Sequence, residues 1–271
     1  MAPLPDAIVF QLNNGGGFYS VFFFLCQAYM YAKTKNLDFY ITNTDWYYTH
    51  TKGWHDYLIS FTQWELEFAR KYKNVVFTRH IDVPKSNFKL QDYIKVIKEI
   101  YLLKPDLEAR ANEILSKNPE LISIFVRRGD KITSKEAPLI QTPDILKLIN
   151  MSKDTQDTIF VQTDDYNVVL EIQKELSNAK IISTVPKNKF GSHEKVWKKL
   201  SAEERKIQTE EMLVGLQVCI KSRLCWTDFT SNVGRFLKLS NFDNTRIYAS
   251  DRPIPKLILN KICVNPAWYF E

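Results

Sequence analysis

Ser123-Ile-Phe-Val-Arg-Arg-Gly-Asp-Lys131 is the stretch that decides how the rest of the chain is read. With Leu121 and Ile122 before it, the run to Val126 is apolar and β-prone. It stops abruptly in Arg127, Arg128, Gly129, Asp130 and Lys131, a knot of charge around a glycine turn. Strands covered on both faces of a parallel sheet read as continuous apolar runs. Ligands of open α/β sheets sit just past the carboxyl ends of such strands, and a guanidinium there offers paired donors suited to phosphate. A surface turn whose arginines pair with carboxylates fits the same residues, and on this stretch by itself both readings stay open.

Downstream, strands and helices alternate. A helix is expected over Pro143–Asn150, a strand over Thr158–Gln162 running into Thr163-Asp-Asp165, a helix over Asn167–Leu176 and a strand over Lys180–Ser183. A polar loop from Pro186 to Leu200 leads to the capping box Ser201-Ala-Glu-Glu204, on whose helix Met212, Leu216 and Cys219 form a core stripe. Arg223–Trp226 reads as a strand, Thr230-Ser-Asn232 as a polar cap and Val233–Leu239 as a helix. Such alternation implies βαβ units on a parallel sheet. Three polar clusters then share one sheet edge: Arg127 to Lys131, Thr163 to Asp165, and Asp228 to Asn232. They can supply guanidinium for a diphosphate, carboxylates for a ribose or base, and hydroxyls at a helix N-terminus for phosphate oxygens. A magnesium ion on Asp164 and Asp165 is the competing use. The pair lacks Asp-x-Asp spacing, and arginines can neutralise a diphosphate without metal.

Upstream, Ala7–Leu12 reads as a strand, Asn13-Asn-Gly-Gly-Gly17 as a turn and Phe18–Lys35 as a helix. That geometry can face backbone N–H groups toward an anion or a sugar, so Asn13, Asn14, Gly15 and Gly16 are candidates. The glycines lack the dinucleotide fingerprint and equally suit close packing. After a strand over Leu37–Thr42 comes an aromatic, polar loop. Its Asp45, Trp46, Tyr48 and Trp54 suit stacking on a carbohydrate, although covering the core is the better use for the rings. A strand at Val75–Thr78 and an amphipathic helix at Leu90–Leu103 follow. Pro105 then breaks the chain, and Asp106 is placed to cap a helix over Leu107–Lys117. The expected units are an N-terminal α/β domain over 1–105, a second α/β domain over 106–250 and an aperiodic tail over 251–271.

Composition excludes several classes. At 271 residues with 45% hydrophobic and 25% charged content, the chain is ordinary globular protein. It has no apolar run long enough to span a bilayer and no signal-peptide pattern. The four cysteines are scattered, with no paired motif and no adjacent histidine. A zinc site is therefore not expected, and a reducing, cytoplasmic compartment is. The formal charge of +6 is interspersed with acids, the one concentration being five lysines between Lys187 and Lys199. Without an aromatic-basic strip, nucleic acid is not the expected partner.

The ordered motifs resemble those of the GT-B fucosyltransferases of the α1,6-fucosyltransferase and bacterial nodulation-fucosyltransferase group. The first, His-x-Arg-Arg-x-Asp-Lys, is similar to Phe125-Val-Arg-Arg-Gly-Asp-Lys131. The second, Ala-Thr-Asp-Asp, is similar to Gln162-Thr-Asp-Asp165. The third, near Ser-Ser-Gln-Val-Cys-Arg, is similar to Thr230-Ser-Asn-Val-Gly-Arg235. An Asn-Trp-x-Tyr…Gly-Trp block resembles Asp45-Trp-Tyr-Tyr48…Gly53-Trp54, so the likeness covers most of Ala7 to Leu239. It implies two Rossmann-like α/β domains facing across a cleft, with acceptor contacts on the first and nucleotide-sugar binding on the second. The implied reaction is a metal-independent, inverting transfer of fucose from GDP-fucose to a glycan acceptor.

In the roles this resemblance implies, Arg127 binds the β-phosphate and stabilises the leaving diphosphate, with Arg128 and Asp130 beside it. Asp164 and Asp165 face the nucleoside, and Thr230, Ser231 and Asn232 the phosphates. Glu136 is the general base with Lys131 nearby, Asp130 and Asp45 being the next candidates; a solvated loop carboxylate describes Glu136 almost as well. Phe125, Gly129 and Asn232 depart from the motifs, which leaves room for another nucleotide sugar, such as a xylose donor, or for a non-catalytic sugar- or nucleotide-binding module. The membrane anchor, stem and SH3 domain of the animal enzymes are not expected, and the Lys-, Asn- and Tyr-rich usage suits a bacterial or large-DNA-virus protein.

Overall fold

The computed structural model describes residues 6–14, 16–79, 88–129, 140–152, 154–189, 191 and 194–249. The chain divides into two compact units between Lys104 and Pro105. Each is an α/β layer structure built on its own parallel sheet.

In the first unit, β1 (Asp6–Leu12) is the inner strand. It pairs in parallel with β2 (Asp38–Asn43) and β4 (Asn74–Thr78), and the two-residue β3 (Thr62–Gln63) extends β2, giving the order β3-β2-β1-β4. Ala7, Val9 and Phe10 are fully buried, as an inner strand covered on both faces requires. One cover is α1 (Phe18–Thr34), whose Phe18, Phe22, Leu25 and Cys26 are buried; α2 (Leu90–Ile100) lies against it through Tyr93, Val96 and Ile97. Gln27 donates to the Tyr93 hydroxyl at 2.8 Å, satisfying an amide that would otherwise be costly inside. The opposite face is closed by Trp64 and Tyr72 over Ala7 and Val9.

The second unit is centred on β5 (Ile122–Val126), with every residue buried. Its partners are β6 (Thr158–Thr163), β7 (Lys180–Ile182), β8 (Leu224–Asp228) and β9 (Thr245–Ala249), in the all-parallel order β7-β6-β5-β8-β9. Counted from β5, this is the doubly wound order 3-2-1-4-5, and the direction of winding reverses between β5 and β8. Alternation along β5 sends Ile124 and Val126 to one face, where α4 (Thr142–Leu148) and α5 (Tyr166–Glu175) add Ile145, Leu146, Val168 and Ile172. On the remaining helices, α3 (Pro105–Ser116) pairs with α6 (Ala202–Lys221), α6 packs on β5 and β6, and α7 (Asn232–Ser240) packs on β8 and β9.

Several expectations are corrected. The helix expected from Leu107 begins at Pro105, so Asp106 lies in its first turn and is not the cap; proline at a first helical position has no intrahelical N–H to lose. α2 ends at Ile100, and Leu103 bridges to Leu58 instead. On α6 the buried apolar side chains are Leu213, Val214, Leu216, Val218 and Cys219, whereas Met212 is only half-buried. β9 was not expected at all. Its five residues include a charged Arg246, and pairing of Thr245 to Ala249 along β8 is what makes them a strand.

Candidate functional site

The carboxyl edge of the second sheet collects the three polar clusters. Register pairs Val126 with Thr163, so the next residues, Arg127 and Asp164, leave neighbouring strands side by side. They form an ion pair, Arg127 Nη1 to Asp164 Oδ2, with both side chains largely buried. The other carboxylate oxygen of Asp164 accepts from the Arg128 backbone N–H at 2.7 Å, so one carboxylate fixes both arginines at the strand end. Gly129 has φ of 64°, a left-handed conformation that L side chains adopt reluctantly, and it turns the chain off the strand. Arg128 Nη2 donates at 3.3 Å to the Thr142 hydroxyl, which in turn donates to Glu171 Oε2. The two guanidiniums are therefore aimed by separate partners.

Asp165 has a different task. Its carboxylate accepts from Asn167 N at 3.0 Å and caps α5. Asp164 and Asp165, expected to face the nucleoside, are thus two aspartates that already hold protein groups. Beside them, the Tyr166 N–H donates at 2.8 Å to the Lys189 carbonyl, pinning the loop after β7 to this corner. Lys189 is half-buried. Burial pushes its ammonium below the ordinary lysine value; the charge of Asp164 opposes that shift and that of Arg127 adds to it.

The third cluster is organised by Asp228. Its Oδ1 accepts from Thr230 N, Thr230 Oγ1 and Ser231 N, each at 2.9 Å. Ser231 accepts from Gly234 N at 3.0 Å and caps α7, which places Asn232 in the first turn rather than in the cap. Gly234 is required, because a Cβ there would stand 2.1 Å from the Asp228 carbonyl oxygen. Arg235 reaches back to the Phe229 carbonyl at 3.2 Å and to Asn232 Oδ1 at 3.4 Å. Tyr248 on β9 donates at 3.0 Å to the Phe125 carbonyl. Burial, reinforced by the charge of Asp228 and opposed by Arg128, holds its phenol well above the ordinary value. Phe125 itself is buried core. The edge thus combines guanidiniums, an ammonium and a capped helix N-terminus, an arrangement suited to an anion.

In the first unit, Asn14 joins the end of β1 to the aromatic loop, donating to the Asp45 carbonyl and accepting from Tyr47 N at 2.6 Å. Asn13 donates to the Gln11 carbonyl at 3.2 Å, and Gly16 and Asp45 are exposed. Trp46 and Trp54 are only 3% and 1% exposed. Their rings stack among Phe18, Phe22 and Tyr48. The two indoles thus take the core-covering use that the sequence reading preferred, and the acceptor contact also considered for them is not what they make. Each buries a large apolar area that stabilises the fold by about 2–3 kcal/mol. Tyr48 is half-buried at the rim of that cluster. Asp56 shapes the loop, its carboxylate accepting from the backbone of His50, Thr51 and Lys52.

Gly15, Asp130, Lys131 and Glu136 lie outside the described residues. Thr142, Glu171, Lys189 and Tyr248 belong to the site or support it and were not expected. Only Lys189 left a signal in the sequence, as one of the clustered lysines. Among the described residues no group of three or more His, Cys, Asp or Glu is placed to hold a metal ion, and no helix is long and apolar enough to cross a membrane.

No protein family and no curated protein matches the chain by sequence. Solved structures do. The fucosyltransferase NodZ from Bradyrhizobium matches with a TM-score of 0.56 at 13% identity, over 89% of this chain and 96% of that one. POFUT1 in complex with GDP matches with a TM-score of 0.51 at 11% identity, over 92% and 98%. FUT1 of Arabidopsis thaliana in complex with GDP gives 0.54 at 8% identity, over 87% and 68%. At such identities the likeness is one of architecture, and the chain has the two-sheet α/β fold of the GT-B fucosyltransferases.

Proposed function

We propose that this chain is a glycosyltransferase that takes fucose from GDP-fucose and passes it to a hydroxyl of a glycan, with inversion and without a metal ion. The observation that carries this reading is the Arg127–Asp164 pair, with Arg128 held on the same carboxylate, at the carboxyl edge of the central strand. It stands in a fold shared with proteins solved with GDP or GDP-fucose. The cytoplasm is the proposed compartment, where the buried thiols of Cys26, Cys219 and Cys225 stay reduced.

In this reading the acceptor oxygen attacks the anomeric carbon as the bond to the β-phosphate oxygen breaks. GDP leaves with the bonding electrons, and the acceptor proton passes to a general base, for which Glu136 is proposed with Lys131 beside it. Negative charge grows on the departing diphosphate, so guanidiniums fixed in advance stabilise the transition state more than the ground state. Thr230, Ser231 and Asn232 are proposed to meet the phosphates at the start of α7, and the acceptor is proposed to lie against Asn13, Asn14, Asp45 and Tyr48.

A related reading, another nucleotide sugar in the same site, is favoured by one observation. Phe125, where the resembling motif has histidine, is buried and offers no polar side chain. The experiment is a thermal-shift screen of GDP, UDP and their sugars, followed by a transfer assay. GDP and GDP-fucose are expected to raise the midpoint most. Selective stabilisation by UDP-sugars would move the assignment to that class, and no shift with any nucleotide would overturn it. Glu136→Gln is expected to lower turnover about 10²–10⁴-fold while GDP still binds.

A further inference from the structure

We infer that Lys189 is an additional ligand of the donor's diphosphate, a cation held in reserve beside the Arg127–Asp164 pair. This rests on the nucleotide-sugar reading above and adds to it a residue that none of the three motifs contains.

The argument begins with how the charges at this edge are already used. Arg127 is paired with Asp164. Arg128 is held by Thr142, whose hydroxyl is directed at Glu171. Each guanidinium therefore reaches an incoming anion with some of its donors committed, and Arg127 with part of its charge offset as well. Lys189 differs, because its ammonium makes no hydrogen bond or ion pair among the described residues, although it lies within electrostatic reach of both Asp164 and Arg127. A half-buried ammonium without a partner is costly unless something else satisfies it.

The backbone shows that this position is built. Lys189 N donates to the Pro186 carbonyl at 3.0 Å, closing a turn just after β7. The Lys189 carbonyl accepts from Tyr166 N at 2.8 Å, directly after the Asp164-Asp165 pair that follows β6. The loop thereby carries one lysine to the edge where Arg127 emerges, while Lys187 of the same turn stays exposed. A compact ammonium suits a phosphate as a point charge, complementing the planar forks of the arginines. A nucleoside diphosphate leaving a sugar gains negative charge, and Lys189 supplies a positive charge not already committed to a carboxylate.

The test is calorimetric titration of the wild type, Lys189→Gln and Lys189→Arg with GDP, guanosine and inorganic pyrophosphate, after circular dichroism has shown equal folding. Lys189→Gln is expected to weaken GDP and pyrophosphate about tenfold and guanosine hardly at all, with Lys189→Arg recovering most of the loss. Unchanged GDP affinity in Lys189→Gln, or an equal loss for guanosine, would overturn the inference while leaving the nucleotide-sugar reading intact. If the wild type prefers UDP, the same comparison with UDP and uridine decides the role of Lys189. If it binds neither a nucleoside diphosphate nor pyrophosphate, both readings fall together.

Discussion

Arg127 and Asp164 meet one residue beyond the paired ends of two adjacent parallel strands, and the same carboxylate holds the Arg128 backbone. Breaking such a pair leaves an uncompensated buried charge, which costs about 3–5 kcal/mol where burial is complete. Asp164→Asn keeps an acceptor for Arg128 N but removes the counter-charge. It is expected to destabilise the second unit measurably in urea and to loosen GDP binding through Arg127. Equal GDP affinity in Asp164→Asn and wild type would separate the pair from binding.

Arg127 itself is expected to act through its planar fork as well as its charge. Arg127→Lys keeps the charge and loses the paired donors, so turnover should fall well below wild type while some GDP affinity remains. Arg127→Ala should lose most of both. Titration of GDP beside a transfer assay reads the two effects separately, and a fully active Arg127→Lys would reduce the role to simple charge.

Divalent metal is expected to be dispensable, because Arg127, Arg128 and Lys189 are the groups proposed to neutralise charge on the diphosphate. Transfer measured in excess EDTA should match transfer in magnesium or manganese. Abolition by EDTA with recovery on adding either ion would refute this.

Acid sensitivity of the first unit is expected to centre on Asp56. Burial alone would raise its carboxyl, but N–H groups of Lys52, His50 and Thr51 outweigh that and hold it below the ordinary value. A carboxyl depressed in the folded state stabilises above its unfolded value, near pH 4, and loses that contribution as pH falls through the lower folded value. Asp56→Asn should cost about 1.5–3 kcal/mol at pH 7, and the gap to wild type should narrow below pH 4. A gap independent of pH would show that shape, not charge, matters there.

Lys238 should behave in the opposite range. It is 8% exposed and donates to the carbonyls of Phe242 and Thr245, at 2.6 and 2.8 Å. Burial brings its ammonium down to about 8. The folded protein therefore disfavours the charged form: the penalty is complete below about pH 8 and is relieved as pH rises toward the unfolded value of about 10.4. Melting temperatures of wild type relative to Lys238→Met should rise between pH 7.5 and 10.

Much of this protein was legible in one dimension because its sheets are parallel and inner strands covered on both faces must be apolar throughout. β1 and β5 announce themselves that way, and the charges after Val126 mark where the second strand ends. The alternation of strands and helices likewise puts the three polar clusters at strand ends on one sheet edge. What the sequence left open were choices made by neighbours distant in the chain. Asp164 and Asp165 are chemically alike, yet one neutralises an arginine emerging from β5 while the other caps its own helix. For Trp46 and Trp54 the sequence preferred the core without excluding a sugar, and their packing against Phe22 and each other decides it. β9 exists because β8 offers it a ladder, and the Lys189 backbone sits beside the end of β6 because a turn after β7 is tied to Tyr166. Local pattern records which residues must leave water, whereas the partner each polar group finds is set by strand order and register.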